Sequence, residues 1–333
     1  MSTPVVAIVP AIVLAVALAM LPAVLSPYLQ DLVLKIVIYA IFALSLELLV
    51  GTTGLISLGH AAFFGIAAYV TALACAGTAP AALPLVLLLS VTAAGAYALM
   101  VGALSLRTRG VYFIMVTLAF AQMAYFVFHD TAIGGGSDGL FLTTRPALRL
   151  GSITLIDLEQ PRHLYLFAVA LLCATYGLLA LLRRSRFGHA LAGIRINEQR
   201  MRAAGYATYA YKLAAFVIAG MLAGLAGFLF ATKNGGVNPE LLSWHESGAV
   251  LLMIILGGLG SLRGAVIGAI GFILLKEFYA SEAFFGAFAA RWQLPLGLTM
   301  ILCVALLPKG LIGIGRLRLG GRKATKPEAA DAA

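Results

Sequence analysis

Apolar runs of about 20 residues, separated by short polar stretches, recur along almost the whole chain. Each is long enough to cross roughly 30 Å of hydrocarbon at about 1.5 Å per residue. The pattern predicts helices near 5–26, 33–51, 55–75, 84–105, 110–128, 163–183, 212–231, 246–260, 264–281 and 291–308. Ten crossings put both ends of the chain on one side, and the predicted class is all-α, a polytopic integral membrane protein. The membrane domain is expected to occupy 1–319. The first run looks like a secretory signal core, but no Lys or Arg precedes it and it exceeds the usual 7–15 apolar residues, so it is read as a retained helix. The tail GGRKATKPEAADAA, 320–333, is small and polar and is expected to be disordered.

Two glycine-rich stretches interrupt the pattern. GTTGLISLGH, Gly51 to His60, has three glycines in ten residues and reads as a break inside the membrane, which would turn the N-terminus outward. One reading is close helix packing. The other is a solute path lined by unwound backbone and by Thr52, Thr53, Ser57, Gly59 and His60, where helix ends offer their dipoles to a zwitterion. For His60 alone, packing is the ordinary reading. Glu47 falls inside a predicted span, where an acid costs about 2.5–3.5 kcal/mol on insertion scales, so it must face protein or water. It serves either a solute's ammonium group or a buried interhelical hydrogen bond. Gln122, near Thr117, has the same choice between path and interhelical contact. LGGLGSLRGAVIGAIG, Leu256 to Gly271, carries small residues at the spacing that lets helices touch. Lys276 and Glu277 are expected to snorkel to the interface.

Composition and charge sharpen this picture. Hydrophobic residues make up 62% and charged residues 11%, which excludes an ordinary soluble domain. The net charge of +10 is spread over loops beside spans, not gathered on a folded module, so nucleic acid is not an expected partner. Lys and Arg collect on the cytoplasmic side of a bilayer. With the island at 183–212 placed inside, sixteen fall inside and five outside: Arg145, Arg149, Arg162, Lys233 and Arg291. The longest outside loop, 129–162, contains the flexible run GGGSDG and the charges Asp138, Arg145 and Asp157, candidates for a docking partner.

The island RRSRFGHALAGIRINEQRMRAAGYATYAY is the chain's most distinctive segment. Phe187, Leu191 and Ile194 recur at helical spacing, with Arg186, His189, Arg195 and Glu198 mostly on other faces, predicting a short amphipathic helix on the membrane surface. Such a helix is either a charged topology anchor or a coupling helix driven by a cytoplasmic motor. No enzyme site is evident. The five histidines show no metal-ligand spacing, no phosphate-gripping G-x-x-x-x-G-K-S/T is present, and Cys75, Cys173 and Cys303 read as packing residues. If ATP drives the protein, another polypeptide must bind it.

Ser185 to Ala231 closely resembles the inner-membrane permeases of branched-chain amino acid ABC importers, the LivM type. So do GTTGLISLGHAAFFGIAAY at 51–69, GGSDGL at 135–140 and NPELLSWHESGAVLLMIILGGLGSLRGAVIGAI at 238–270, and the likeness runs in order over roughly 35–312. The resemblance implies a permease subunit in the bacterial inner membrane with its C-terminus cytoplasmic. Its expected partners are a LivH-type companion permease, LivG- and LivF-type ATPases and a periplasmic substrate-binding protein, with no cofactor of its own. It makes 184–211 the coupling segment, with Arg186, Phe187, Gly188, Leu191, Ile194, Arg195 and Glu198 as coupling residues on a helix over 185–202. Ile196 and His189 depart from the family's usual charged residue and Arg. Similar chains serve urea, amides or aromatic acids. An ion-coupled secondary transporter is the rival class, for which Glu47 is the one strong intramembrane carboxylate.

Overall fold

A computed structural model describes residues 26–77, 80–150, 153–307 and 310–313. The expected first span at 5–26 and the tail at 320–333 lie outside them. Helix α1, Pro27–Glu47, starts with proline in its first turn, where the missing N–H costs nothing, and widens into a π-helical turn, Leu48–Thr53. Gly54 ends that turn at φ 75°. After an unwound stretch comes α2, His60–Ala74, then α3, Leu83–Ser105, and α4, Val111–Asp130. Helix α5, Pro161–Arg184, leads into the short α6, Arg186–Ile196, and α7, Glu198–Ala203. The long α8, Thr208–Asn234, is followed by α9, Trp244–Gly257, α10, Leu262–Ala280, α11, Glu282–Phe285, and α12, Gln293–Leu306.

Long-range bonds define two ends of the bundle. At the basic end, Arg183 donates to the Gly260 carbonyl at 2.7 Å, Tyr209 to Ala103 at 2.8 Å, and Arg195 to Gly51. At the far end, Lys233 pairs with Asp31 at 2.7 Å and Tyr28 donates to Glu277 at 2.6 Å. Helix α1 therefore runs from the far end to the basic end. Helix α2 returns: Ser45 meets His60 at 2.8 Å, whereas Tyr39 and Phe42, earlier on α1, both pack on Phe64. Its last turn reaches the far end, where the Cys75 carbonyl accepts from Thr144. The glycine-rich segment is thus an unwound stretch within a returning pass.

That geometry corrects several predicted spans. Five helices among the described residues are long and apolar enough to cross a membrane, or six if the bent pair α9 and α10 counts as one. Ten is not reached. The predicted span at 55–75 is helical only as α2, because 54–59 has no regular secondary structure. The expected pair at 246–260 and 264–281 is a hairpin bent by 115°, and its first arm has 14 residues. The last span is likewise only 14 residues of helix. Hydropathy detects apolar character, not whether apolar residues are coiled or extended.

Helix α1 is the hub, 83% of its apolar window being buried, whereas α4, at 22%, lies at the periphery. Phe42, Phe63, Phe64, Phe216 and Phe228 fill the centre around alanines of α2 and α8. At the α9–α10 seam no side chain fits: a Cβ at Gly257 would strike the Gly264 carbonyl, and one at Gly268 the Met253 carbonyl. The far-end loop is folded, with its glycine run forming turns at Gly135, Gly136 and Gly139, all at positive φ. Strand β1, Leu140–Phe141, pairs antiparallel with β4, Gly236–Val237, and β2, Ala147–Leu150, with β3, Ile153–Asp157. Leu142 donates to Gly235 and Ala147 to Ala81, so backbone groups that a free loop would leave to water are paired. Cys75 is buried as expected, but Cys173 is exposed on α5.

Candidate functional site

The basic island folds into a bracket against the basic end. Ser185 caps α6, its hydroxyl accepting from Gly188 N at 3.4 Å, so the chain turns sharply back on α5. Gly188 sits where that turn is tightest. A Cβ there would strike the Leu182 carbonyl and come within 2.6 Å of Arg183 Cα, both backbone. Leu191 and Ile194 are buried against the bundle and Phe187 stacks on Tyr211 at 5.5 Å, while Arg186, His189, Arg195 and Ile196 are exposed. The amphipathic reading is thus correct in its faces but not in its length. Asn197 leaves helical geometry at φ −156° and caps α7 by accepting from Arg200 N at 2.9 Å, splitting the expected 185–202 helix in two.

Two arginines tie this bracket to the membrane helices. Arg195 donates to the Gly51 carbonyl at the π-helical end of α1, and Arg183 to the Gly260 carbonyl at the tip of the α9–α10 hairpin. Glu198 does not join Arg195. Its carboxylate holds Arg202 at 2.6 Å, Lys212 at 3.0 Å and Thr208 at 3.1 Å, fastening α7 to the first turns of α8. Burial pushes its carboxyl pKa up, but Lys212, Arg202 and Thr208 outweigh that and hold it below the usual glutamate value.

Glu47 lies one turn above Gly51. It is fully buried, and neither carboxylate oxygen has a hydrogen-bond partner of good geometry. The carboxylate fills the space that a Cβ on Gly51 would need. The guanidinium groups of Arg183 and Arg195 stand within electrostatic reach, as does the backbone of Gly260 and Ser261. A buried acid with unsatisfied acceptors beside a π turn is the kind of costly arrangement that proteins keep at working sites.

Deeper in the bundle, the start of α2 meets the start of α9. The Ala61 N–H donates to Ser247 Oγ at 2.8 Å, so two helices that begin inside the bundle are joined where they begin. Around the joint, His60 contacts Ser45 and stacks on Phe42 at 5.6 Å, and Tyr39 donates to Glu246 at 3.3 Å. Ser57 is fully buried and its hydroxyl accepts from Gly59 N at 3.3 Å. A Cβ on Gly59 would strike the Thr117 carbonyl, which presses the unwound segment against α4. Thr53 donates to Leu49 at 2.6 Å, whereas Thr52 Oγ1 and Gln122 Oε1 are buried without partners. Ile56 and Gly54 remain exposed.

The expected residues thus form two clusters. Arg195, Glu47, Thr52 and Thr53 gather at the basic end, and Ser57, Gly59 and His60 at the inner joint, with Gln122 on α4. Sequence reading missed Tyr39, Ser45, Glu246 and Ser247. Glu246 stands at the first residue of a predicted span, where sequence alone gives no sign that it reaches Tyr39 inside the bundle. Lys276 does not simply snorkel, its ammonium lying over Trp292 at 4.7 Å, and Glu277 is held by Tyr28 and Lys35. Among the described residues no three His, Cys, Asp or Glu side chains gather as metal ligands.

Residues 28–305 match the family model for the branched-chain amino acid transport system permease component. The chain is 31% identical over 318 residues to the high-affinity branched-chain amino acid transport system permease protein LivM of Salmonella typhimurium, covering 87% of this chain and 71% of that one. LivM of Escherichia coli K12 matches with the same identity and coverage. A stretch of 94 residues is 33% identical to the autoinducer 2 import system permease protein LsrC of Escherichia coli O9:H4, covering 27% of this chain and 28% of that one. No solved structure matches the chain.

Proposed function

Because the chain belongs to the branched-chain amino acid transport permease family, we propose that it is a membrane-spanning half of an ABC importer for branched-chain amino acids. It is a multi-pass transport protein, not an enzyme, and works with a companion permease, ATPases and a binding protein. In this reading the companion is LivH-like, the ATPases LivG- and LivF-like, and the membrane the bacterial inner membrane. The basic end faces the cytoplasm, which accords with the excess of Lys and Arg there. The last described residues share that end, since Gly310 lies against Gly258.

The observation that carries the mechanism is the pair of arginine ties. ATP-driven closure of the ATPases displaces α6 through its exposed face, Arg186, His189, Arg195 and Ile196. Arg195 passes the displacement to the π turn of α1, and Arg183, at the root of α6, passes it to the α9–α10 hairpin. Both routes lead to the inner joint of α2 and α9. The unwound segment at 54–59 leaves backbone groups that hydrocarbon cannot satisfy, so its exposed side, at Gly54 and Ile56, faces the aqueous path or the companion subunit. Ser57, Gly59, His60, Thr52, Thr53, Gln122 and Glu47 lie at or behind that wall. Helix starts at the joint direct positive dipole ends toward a substrate carboxylate without placing a cation in the membrane.

Reconstituted importer should take up leucine, isoleucine or valine only with ATP and binding protein, and lose uptake when the partner ATPase's phosphate-binding lysine is replaced. Uptake by the purified chain alone on a proton or sodium gradient would refute the assignment.

A further inference from the structure

A groove of about 360 Å3 opens on the outer surface near the basic end, lined by Leu178, Leu181, Leu182, Ser185, Phe187 and Ile218. Its size falls in the range of roughly 300–1,000 Å3 typical of small-molecule sites. We propose that it binds an anionic diacyl phospholipid of the leaflet facing the basic end, with an acyl chain in the groove and the headgroup on Arg184 and Arg186.

The groove is apolar within and cationic at its mouth. Leu178 and Leu181, both exposed, lie up to about 10 Å along α5 from Ser185 at 1.5 Å per residue, on the part of the helix surrounded by lipid tails. A soluble ATPase cannot reach that depth. At the other end the lining stops at Ser185, where the cationic groups begin. Arg184 is exposed one turn beyond Leu181 on the same side of α5, and Arg186 is exposed between two lining residues, Ser185 and Phe187. The first turn of α6 adds the positive end of an 11-residue helix. An apolar slot ending in two arginines and a helix N-terminus matches one acyl chain carrying a phosphate, and basic pockets between spans on the cytoplasmic side recognise such headgroups. One wall of the slot is Phe187 of α6 itself, so an occupying lipid would steady the coupling helix at its root.

The test uses the complete importer in nanodiscs of equal phosphatidylglycerol and phosphatidylcholine, with the lipids retained on release counted by native mass spectrometry. Phosphatidylglycerol should be retained over phosphatidylcholine by about thirtyfold, from roughly 1 kcal/mol for each of Arg184 and Arg186 near an anionic surface. Arg184→Gln, at an exposed position, should cut the preference about fivefold. Ile218→Trp should fill the slot and abolish retention. Equal retention of both lipids by the wild type, or an undiminished preference in Arg184→Gln, would overturn the proposal. A photoreactive benzophenone side chain at position 181 should crosslink to phospholipid. Its capture of the companion permease or an ATPase instead would assign the groove to a protein contact and reject the lipid site.

Discussion

Arg195, on a helix outside the bundle, donates a hydrogen bond to the carbonyl of Gly51, the residue where the central helix has already widened into a π turn. A widened turn leaves carbonyls turned away from the ladder, and the guanidinium takes one of them. The bond joins two segments 144 positions apart, one built to be moved and one at the centre of the fold. Arg195→Ala should keep the complex assembled but reduce uptake per ATP hydrolysed. A hydrogen bond to a charged group is worth about 1.5–3 kcal/mol, so a loss of about tenfold or more is expected. Unchanged coupling in paired uptake and phosphate-release assays would remove Arg195 from the drive train.

Gly188 tests the turn between α5 and α6. Gly188→Ala places a methyl group against backbone that cannot swing aside, and overpacking of this kind costs about 1–3 kcal/mol. Gly188→Leu should be more severe, displacing α6 and abolishing stimulated uptake while the spans still insert. Normal transport by both variants would show that the turn accommodates a side chain at 188 and that its tightness plays no part in coupling.

Glu198→Gln should lower the melting temperature at pH 7 by removing the charge shared by Lys212 and Arg202. The carboxyl's pKa is lowered in the folded protein. Its stabilisation is therefore full above the ordinary glutamate range and fades as pH falls through the folded value. The gap between variant and wild type should begin to narrow as pH falls to about 4, the unperturbed glutamate value, and close only below the lowered value of the folded carboxyl. A gap that persists in acid would mean that shape, not charge, holds α7.

Ser247→Ala strips the Ala61 N–H of its partner inside the bundle. An abandoned buried donor costs about 1–3 kcal/mol, so thermal unfolding in detergent should begin several degrees lower. Ser247→Thr, which keeps the hydroxyl, should recover most of the loss. Equal melting of all three proteins would argue that water replaces the bond.

Glu47→Gln separates charge from shape beside the π turn. Because the carboxylate lacks hydrogen bonds, the amide should be tolerated with little change in stability. Uptake should nevertheless fall about tenfold or more if the negative charge positions Arg183 and Arg195, since the amide removes the carboxylate's electrostatic attraction for them in a buried, low-dielectric site. Full activity would leave Glu47 as a packing residue.

The coupling segment was legible because its signals are local: basic residues beside spans and apolar residues at helical spacing. Its division at Asn197 was also written there, since asparagine is a strong cap, but the continuing 3.6-residue rhythm hid it. The inner joint was not legible. His60, Ser45, Glu246 and Ser247 meet only because two helices begin inside the bundle, and hydropathy cannot tell where a helix starts when non-helical residues before it are equally apolar. Ser57 and Thr53 read in sequence as hydroxyls lining a solute path, and in the structure both are buried and bonded to nearby backbone.

The seam between α9 and α10 has a further meaning. With backbone meeting backbone at Gly257, Gly264 and Gly268, no side-chain rotamer at those contacts can absorb a push, so the hairpin is stiff where its arms touch there. A nudge at Gly260 reaches Ser247, about 20 Å away at 1.5 Å per residue, with little lost to elastic give. Any methyl group inserted into that seam would act as a shim, and the machine would run with backlash even though every polar contact remained in place.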